Sequence, residues 1–183
     1  MRPRSSTTSL RYNCAARWLH WSTAAVVPVQ LTLGWLADAA SQKADRSRLI
    51  HAHFQLGMAI LALVAARLAW RSLRGAPPPL PDDPWRRRLA GGVHASLYAL
   101  LLLMPASGYV IWIWMGASTE VFGIVELPRL FAPPADDERG RAWAWYVHHY
   151  AAIVLTGLTC LHVAAAVWRE FVLKDSLISR RML

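Results

Sequence analysis

The stretch that decides the fold is AWAWYVHHYAAIVLTGLTCLHVAAAVW, residues 142–168. It contains no formally charged residue, and it is longer than the ~20 residues that an α-helix needs to cross a bilayer. Its histidines His148 and His162 lie 14 residues apart. On a helix this spacing is a rise of about 21 Å and a return to within about 40° of the same face. The stretch therefore predicts a transmembrane helix with one imidazole near each leaflet. An ionisable side chain inside a membrane indicates function, and a bound metal is the expected partner.

Length and composition agree with a small membrane protein. The chain has 183 residues, of which 55% are hydrophobic and 17% charged, and its formal net charge is +9. In a soluble protein such a basic balance would suggest a nucleic-acid partner. Here the apolar residues come in unbroken blocks, so we interpret the positive charge as a signal for the orientation of the protein in a membrane. Membrane lipid, and no nucleic acid, is the expected partner.

Three further apolar runs accompany this stretch, from Trp18 to Ala37, from Leu49 to Ala66 and from Leu89 to Thr119. The first run also has a feature of a secretory signal peptide, because ADAA at 37–40 looks like a cleavage site. Its apolar part exceeds the 7–15 residues typical of a signal core, which favours a retained span. We therefore predict an all-α integral membrane four-helix bundle, with spans at about 18–38, 50–70, 90–114 and 143–168.

Two connecting segments differ from the spans. The proline-rich GAPPPLPDDP at 75–84 cannot be helical and predicts a stiff exposed connection. The segment VFGIVELPRLFAPP, from Val121 to Pro134, is apolar but contains Glu126, Pro128 and Arg129. We expect it to lie at the membrane interface, over the outer end of the bundle.

Four spans place both termini on one side of the membrane, and the distribution of charge decides which side. The termini and the 67–88 loop carry 14 Lys and Arg residues, whereas the opposite side carries six. By the positive-inside rule, both termini are expected to be cytoplasmic, in a bacterial inner membrane.

This orientation gives each histidine of a span an approximate depth. His20 and His162 lie near the cytoplasmic ends of the first and fourth spans, and His53 and His148 lie near the opposite ends of the second and fourth. The result is an inner pair and an outer pair. Zinc or copper also binds imidazole, but no Cys, Asp or Glu completes either set. Two bis-histidine pairs on facing helices are what two stacked b-type haems need, so we predict two haem b cofactors.

Three other residues join the predicted sites. Gly57 lies one turn after His53, where its missing side chain leaves room for a flat porphyrin. Arg67 follows His53 by 14 residues, so it shares that face and is expected to pair with a propionate of the inner haem. His94 enters the third span at inner depth. Two roles stay open for it: competition with His20 as a ligand, or a hydrogen bond to a haem propionate.

Two histidines next to the outer pair are not expected to bind haem. His51 lies about 200° from His53 around the helix, and His149 lies about 140° from His162. Both are expected to be solvated or snorkelling side chains at the interface.

The ordered set of motifs resembles the bacterial cytochrome b561 family, which includes the cytochrome b subunits of nickel–iron hydrogenases. The resemblance extends from Tyr12 to Leu183. It rests on ARWLHW (16–21), HFQLG (53–57), HASLYALLLLMPASG (94–108), VHHYAAIVLTGLTCLHVAAAVW (147–168) and FVLKDSLISRRML (171–183). It implies a single cytochrome b561-like membrane domain over residues 1–183, with axial pairs His20–His162 and His53–His148. His149 stands where the family usually has an acidic residue.

The resemblance also implies an oxidoreductase, and two forms of it remain open. In one, the chain is a stand-alone dihaem cytochrome that carries electrons across the inner membrane to or from a quinone, ubiquinone by resemblance. One branch of the family oxidises superoxide at the periplasmic face. In the other, the chain is a membrane-anchoring cytochrome b subunit that relays electrons for a partner dehydrogenase or hydrogenase. Short loops favour the stand-alone form. A cofactor-free channel with a histidine proton relay would require charged partners, which the apolar runs do not supply apart from Arg67.

Overall fold

The computed structural model of the protein describes residues 11–78, 82–133 and 137–183. Within these residues there are four long helices, α1 (Cys14–Ala39), α2 (Lys43–Arg74), α3 (Pro84–Trp114) and α4 (Glu138–Phe171). A hairpin of β1 (Glu120–Val121) and β2 (Val125–Glu126) follows α3, and a short helix, α5 (Leu177–Arg181), follows α4. The fold is mostly helical, as predicted, and the hairpin is an addition to the all-α prediction. Residues 79–81 of the predicted stiff connection and Pro134 of the predicted interfacial segment lie outside the described residues.

Among the described helices, α2, α3 and α4 are long and apolar enough to cross a membrane. The predicted spans 50–70, 90–114 and 143–168 lie inside these three helices, and the predicted span 18–38 lies inside α1. Helix α1 is not one of these three, and its apolar run contains the polar residues Ser22, Thr23, Gln30 and Thr32. Each helix is longer than its predicted span, since polar residues at the ends continue the helix beyond the apolar run.

Local sequence explains several helix ends. The side chains of Asn13 and Asp137 accept hydrogen bonds from the backbone N–H groups three residues on, at 2.9 and 2.8 Å. These caps satisfy donors that the first turns of α1 and α4 would otherwise leave free. Pro84 opens α3 at a position where its missing N–H costs nothing. Gly75 ends α2 with a φ of 69°, which glycine adopts without strain.

The four long helices meet at an apolar centre. Helix α1 packs against α2, α2 against α3, and α3 against α4. The buried cluster at this centre takes side chains from all four helices, namely Val27, Ile60, Val64, Leu101 and Leu155. Because four separate helices contribute to it, this cluster fixes their heights relative to one another.

A spacing of seven residues relates this centre to both predicted sites. Seven residues of helix are a rise of about 10.5 Å and a return to within about 20° of the same face. The middle layer consists of one residue per helix: Val27, Ile60, Leu101 and Leu155. Seven residues along each helix, towards the end of the bundle where the chain begins and ends, lies the inner layer: His20, Arg67, His94 and His162. Seven residues in the other direction lies the outer layer: Gly34, His53, Gly108 and His148. All four histidines of the predicted pairs thus belong to two layers, separated by an apolar one.

At the inner end, the segment after α4 folds back onto α1. The indole Nε1 of Trp21 donates to the carbonyl oxygen of Met182 at 3.0 Å, and Arg17 donates to the carbonyl oxygen of Leu183. Arg169 also forms two ion pairs at 2.6 Å, with Asp82 and Asp175. These contacts tie the two ends of the described chain to each other, and the end of α4 to the connection between α2 and α3.

At the outer end, a single α2 side chain holds the hairpin. The amide nitrogen of Gln55 donates to the carbonyl oxygen of Glu120 at 3.0 Å, and its amide oxygen accepts from the backbone N–H of Phe122 at 2.7 Å. Gln55 lies two residues after His53. The start of the predicted interfacial segment is therefore fastened beside the outer layer.

Candidate functional site

The two histidines of the outer layer face each other across the bundle. The ring centres of His53 on α2 and His148 on α4 are 6.0 Å apart, and their planes are inclined by 77°. Two metal–nitrogen bonds of about 2.0 Å, with roughly 1.1 Å from each nitrogen to its ring centre, require a separation of roughly 6 Å. The observed distance therefore matches two imidazoles on opposite sides of one iron.

Hydrogen bonds orient both rings and leave one nitrogen of each ring available. Nδ1 of His53 lies 3.1 Å from the carbonyl oxygen of Gln30, which can only accept, so Nδ1 carries the proton. Nδ1 of His148 lies 2.9 Å from Oγ of Ser107, which donates its own hydrogen to the carbonyl oxygen of Met104 at 3.0 Å. Ser107 Oγ therefore accepts from His148. Both Nε2 atoms keep a lone pair for a metal, and such partners typically orient metal-binding histidines.

Two glycines of the outer layer let these rings approach neighbouring helices. A Cβ on Gly34 of α1 would lie 3.0 Å from Cε1 of His53, and a Cβ on Gly108 of α3 would lie 3.1 Å from Cε1 of His148. Both distances are shorter than the 3.5–4.0 Å that carbon atoms prefer. The glycines thus provide the space in which each imidazole stands.

Gly57, predicted to make room for a porphyrin, lines the same cavity as His53. Its nearest neighbour is the amide nitrogen of Gln30, which lies 3.1 Å from where a Cβ would be. That amide donates to the carbonyl oxygen of His53 at 2.9 Å. Gly57 therefore makes room for the side chain of Gln30, whose hydrogen bond joins α1 to α2 beside His53.

The outer histidines line a cavity of about 430 Å³, to which all four long helices contribute. Its walls are mostly apolar, with Phe54, Leu101 and Met104 among the lining side chains. Its formally charged lining residues, among those that the structure describes, are Asp38 and Arg46. An apolar space with a few polar groups and two facing imidazoles is suited to a large apolar cofactor with a charged edge.

The inner layer brings three histidines and one arginine together. The ring centres of His94 and His162 are 5.2 Å apart, with their planes inclined by 70°. His20 interacts electrostatically with both of these residues, and Arg67 interacts with all three histidines. Arg67 also lies over the ring of Tyr98, with its Cζ 5.3 Å from the ring centre. The structure thus gathers every residue that the sequence assigned to the inner site.

The inner histidines are not arranged like the two outer ones, which face each other with room for a metal between them. At 5.2 Å, the rings of His94 and His162 are in edge contact and closer than roughly 6 Å, so this pair does not leave the space that an iron between two rings requires. Nδ1 of His20 is buried and has no hydrogen-bond partner among the described residues. A buried polar nitrogen without a partner is costly. His20 is thus a buried inner imidazole whose Nδ1 lacks a partner among the described residues, and His94 lies directly beside His162.

The two histidines not expected to bind haem lie among aromatic rings. His149 stacks on Trp145 with ring centres 4.7 Å apart and contacts the edge of Trp35 at 5.7 Å. His51 lies 5.9 Å from the ring of Trp112. His149 also lines the outer cavity, which its helical angle relative to His162 did not indicate.

Gln30 and Ser107 are site residues that sequence reasoning missed. Each lies on a helix next to the one that carries its histidine, and no local pattern marks a hydroxyl or an amide as a partner across a bundle. Gly34 and Gly108 did carry a signal, because they lie seven residues from Val27 and Leu101. That signal can be recognised only once the heights of the four helices are known.

Comparison with known proteins places the sequence of this chain in a family. The model of prokaryotic cytochrome b561 matches residues 11–183. The chain is 27% identical over 179 residues to cytochrome b561 homolog 2 of Escherichia coli (strain K12), covering 97% of this chain and 94% of the relative. It is 29% identical over 171 residues to cytochrome b562 of Cereibacter sphaeroides, covering 90% of each. A protein of Yersinia pestis named probable superoxide oxidase CybB is 28% identical over 178 residues, with 94% and 96% covered.

Proposed function

Since the chain belongs to the prokaryotic cytochrome b561 family, and is thus a membrane cytochrome that binds b-type haem, we propose that it carries two haems and transfers electrons across a bacterial inner membrane to or from a quinone. The observation that carries this proposal is the outer pair. His53 and His148 have ring centres 6.0 Å apart, with both Nδ1 atoms hydrogen-bonded to other groups. Haem iron held by two histidines changes its redox state by one electron without opening a coordination position.

In this proposal α1 is the fourth span, and both termini are cytoplasmic. Its packing along α2 and its share of the apolar centre support a position inside the bundle. The 14 Lys and Arg residues on the side of the termini, against six on the other, support the orientation. The outer layer then faces the periplasm and the inner layer faces the cytoplasm.

The inner haem is proposed to bind His20 and His162, with Arg67 beside its propionates. The close contact between His94 and His162 supports this assignment, because an iron does not fit between those two rings. Arg67 is half-buried and close to all three inner histidines. A cation there stabilises negative charge in a space of low dielectric constant. We assign His94 a supporting role next to His162, which haem counts on variants can test.

In this proposal the protein positions the haem ligands and excludes water from the haem sites. Gln30 and Ser107 hold the outer imidazoles in one tautomer, and Gly34 and Gly108 leave room for their rings. The middle layer keeps the space between the two sites apolar. A dry, preorganised environment lowers the reorganisation that an electron transfer requires.

Superoxide is the proposed reductant at the periplasmic face. A relative is named a probable superoxide oxidase, and the hairpin fastened by Gln55 lies beside the outer layer, as a lid over that haem would. Arg129 and Arg141 lie near this end and could attract an anion; Arg141 lines a second cavity together with Trp145. Each superoxide gives up one electron and leaves as dioxygen, and two such electrons with two protons convert a quinone into a quinol.

Haem counts on purified protein test the core of the proposal. A redox-difference spectrum with pyridine haemochrome quantification should show two haems b per chain. His53→Ala and His148→Ala should each leave one haem, whereas His51→Ala should leave both. The inner site is tested in the same way by alanine variants of its three histidines, His20, His94 and His162. One haem after His94→Ala and two after His20→Ala would reverse the inner assignment, and a haem-free wild type would refute the proposal.

Stopped-flow reduction decides whether superoxide or a quinol donates the electrons. Pulsed superoxide should reduce the protein at a rate that falls with ionic strength, because attraction between exposed charges is screened by salt. The double variant Arg129→Glu, Arg141→Glu should be slower at low salt. An unchanged rate in both experiments would refute the entry site. If a quinol reduces the haems and superoxide does not, the membrane-anchoring subunit becomes the favoured function.

A further inference from the structure

We propose that Arg46 binds a propionate carboxylate of the outer haem, and thereby orients that haem with its charged edge towards the periplasm. This inference rests on the proposed outer haem and assigns a further residue to its site. The arginine is exposed and is the fourth residue of α2, which begins at Lys43.

The first observation is the position of Arg46 on the helix that carries His53. Arg46 precedes His53 by seven residues, so it lies about 10.5 Å further out, within about 20° of the same face. Arg67 lies 14 residues beyond His53 on this face. The α2 stripe therefore reads Arg46, His53, Ile60, Arg67, with a cation at each end.

The second observation is the cavity itself. Arg46 lines the cavity that His53 and His148 line, and the only other formally charged lining residue in the described part of the chain is Asp38. The deep wall is formed by apolar residues such as Ile60 and Leu101. A haem has an apolar edge and an edge with two carboxylates. Burial of the apolar edge against the middle layer leaves the carboxylates at the end where Arg46 stands.

The third observation is that the guanidinium of Arg46 has no carboxylate within 4.0 Å among residues 11–78, 82–133 and 137–183. Its neighbour Arg48 does have one, since its Nη1 lies 3.8 Å from Asp45. Arginine binds carboxylates through two parallel N–H···O bonds, which fix orientation as well as charge. Arg46 is thus positioned and available for this contact, and Arg48 provides a matched control.

The charge of Arg46 predicts a shift in the potential of the outer haem alone. Reduction adds one negative charge to the site, so removal of a nearby cation favours the oxidised form. Arg46→Gln should lower the outer midpoint potential and leave the inner one unchanged. A tenfold change in the equilibrium corresponds to about 59 mV for a one-electron couple. Arg46→Lys, which keeps the charge but loses the paired geometry, should shift the potential less. Asp38→Asn, which removes an anion from the same cavity, should raise it.

The experiment is a spectroelectrochemical titration of the purified full chain with its haems, together with a haem count for each variant. Arg48→Gln is the control: it lies about 140° from His53 around the helix and should leave both potentials unchanged. The proposal is overturned if Arg46→Gln retains the outer haem at its original potential, or if Arg48→Gln shifts that potential as much. Loss of the outer haem in Arg46→Gln with retention in Arg46→Lys supports it. Failure of the dihaem function itself would appear separately, as a wild type without an outer haem.

Discussion

Adding one methyl group at Gly34 or Gly108 should weaken the binding of the proposed outer haem while leaving the helices intact. A Cβ at these positions would lie 3.0 Å from Cε1 of His53 and 3.1 Å from Cε1 of His148. Since carbon atoms prefer about 3.5–4.0 Å, each ring would have to move by about 0.4 Å or more. Metal–ligand distances tolerate only about ±0.2 Å. The strain therefore falls on the bond that holds the iron.

The expected magnitude follows from the cost of overpacking. Forcing an extra carbon into a packed site costs about 1–3 kcal/mol, and each 1.4 kcal/mol is about tenfold in a dissociation constant. Gly34→Ala and Gly108→Ala should thus bind the outer haem roughly 5- to 140-fold more weakly. The assay is haem transfer to an excess of apomyoglobin, with electron paramagnetic resonance to detect the tilted ligand ring.

Gly157→Ala is the matched control. Gly157 lies in α4, and a Cβ there meets nothing within 4 Å. This change should leave haem affinity unchanged, and it should stabilise the helix, because alanine is favoured over glycine by about 1 kcal/mol. If Gly108→Ala and Gly157→Ala release haem at the same rate, the close approach of Gly108 to His148 does not matter for the site.

Three further changes test other contacts. Ser107→Ala removes the acceptor for Nδ1 of His148, so that ring becomes a weaker donor to iron and the outer midpoint potential should rise; Thr156→Ala, which removes a hydroxyl bonded within α4 at 2.8 Å, should not change it. Arg67→Leu should lower the potential of the inner haem, because the reduced and more negative site loses a nearby cation; two unchanged potentials in a redox titration would remove Arg67 from the site. Arg169→Gln breaks both partly buried ion pairs at the inner end, which should cost about 1–3 kcal/mol and lower the thermal unfolding midpoint; an unchanged midpoint would mean that these pairs contribute nothing measurable.

Much of this molecule is determined by local sequence. The apolar runs predict the long helices, because the periodicity and length of a helix are properties of one segment. The 14-residue spacings from His148 to His162 and from His53 to Arg67 predict shared faces for the same reason, since rotation along one helix requires no knowledge of another. Sequence alone therefore indicated which histidines belong to the inner layer and which to the outer one.

Contacts between helices were decided by the tertiary structure. The rotation of each helix about its axis sets whether His162 meets His20 or His94, and packing brought His94 to 5.2 Å from it. The partners of the outer rings, Gln30 and Ser107, depend in the same way on how neighbouring helices align. The hairpin after α3 could not be predicted either, because strands of two residues carry too little pattern and this one is held by Gln55 of a different helix. The height of a residue in the bundle follows from its position along its own helix. Which side chains meet across the bundle is decided only when the four helices pack.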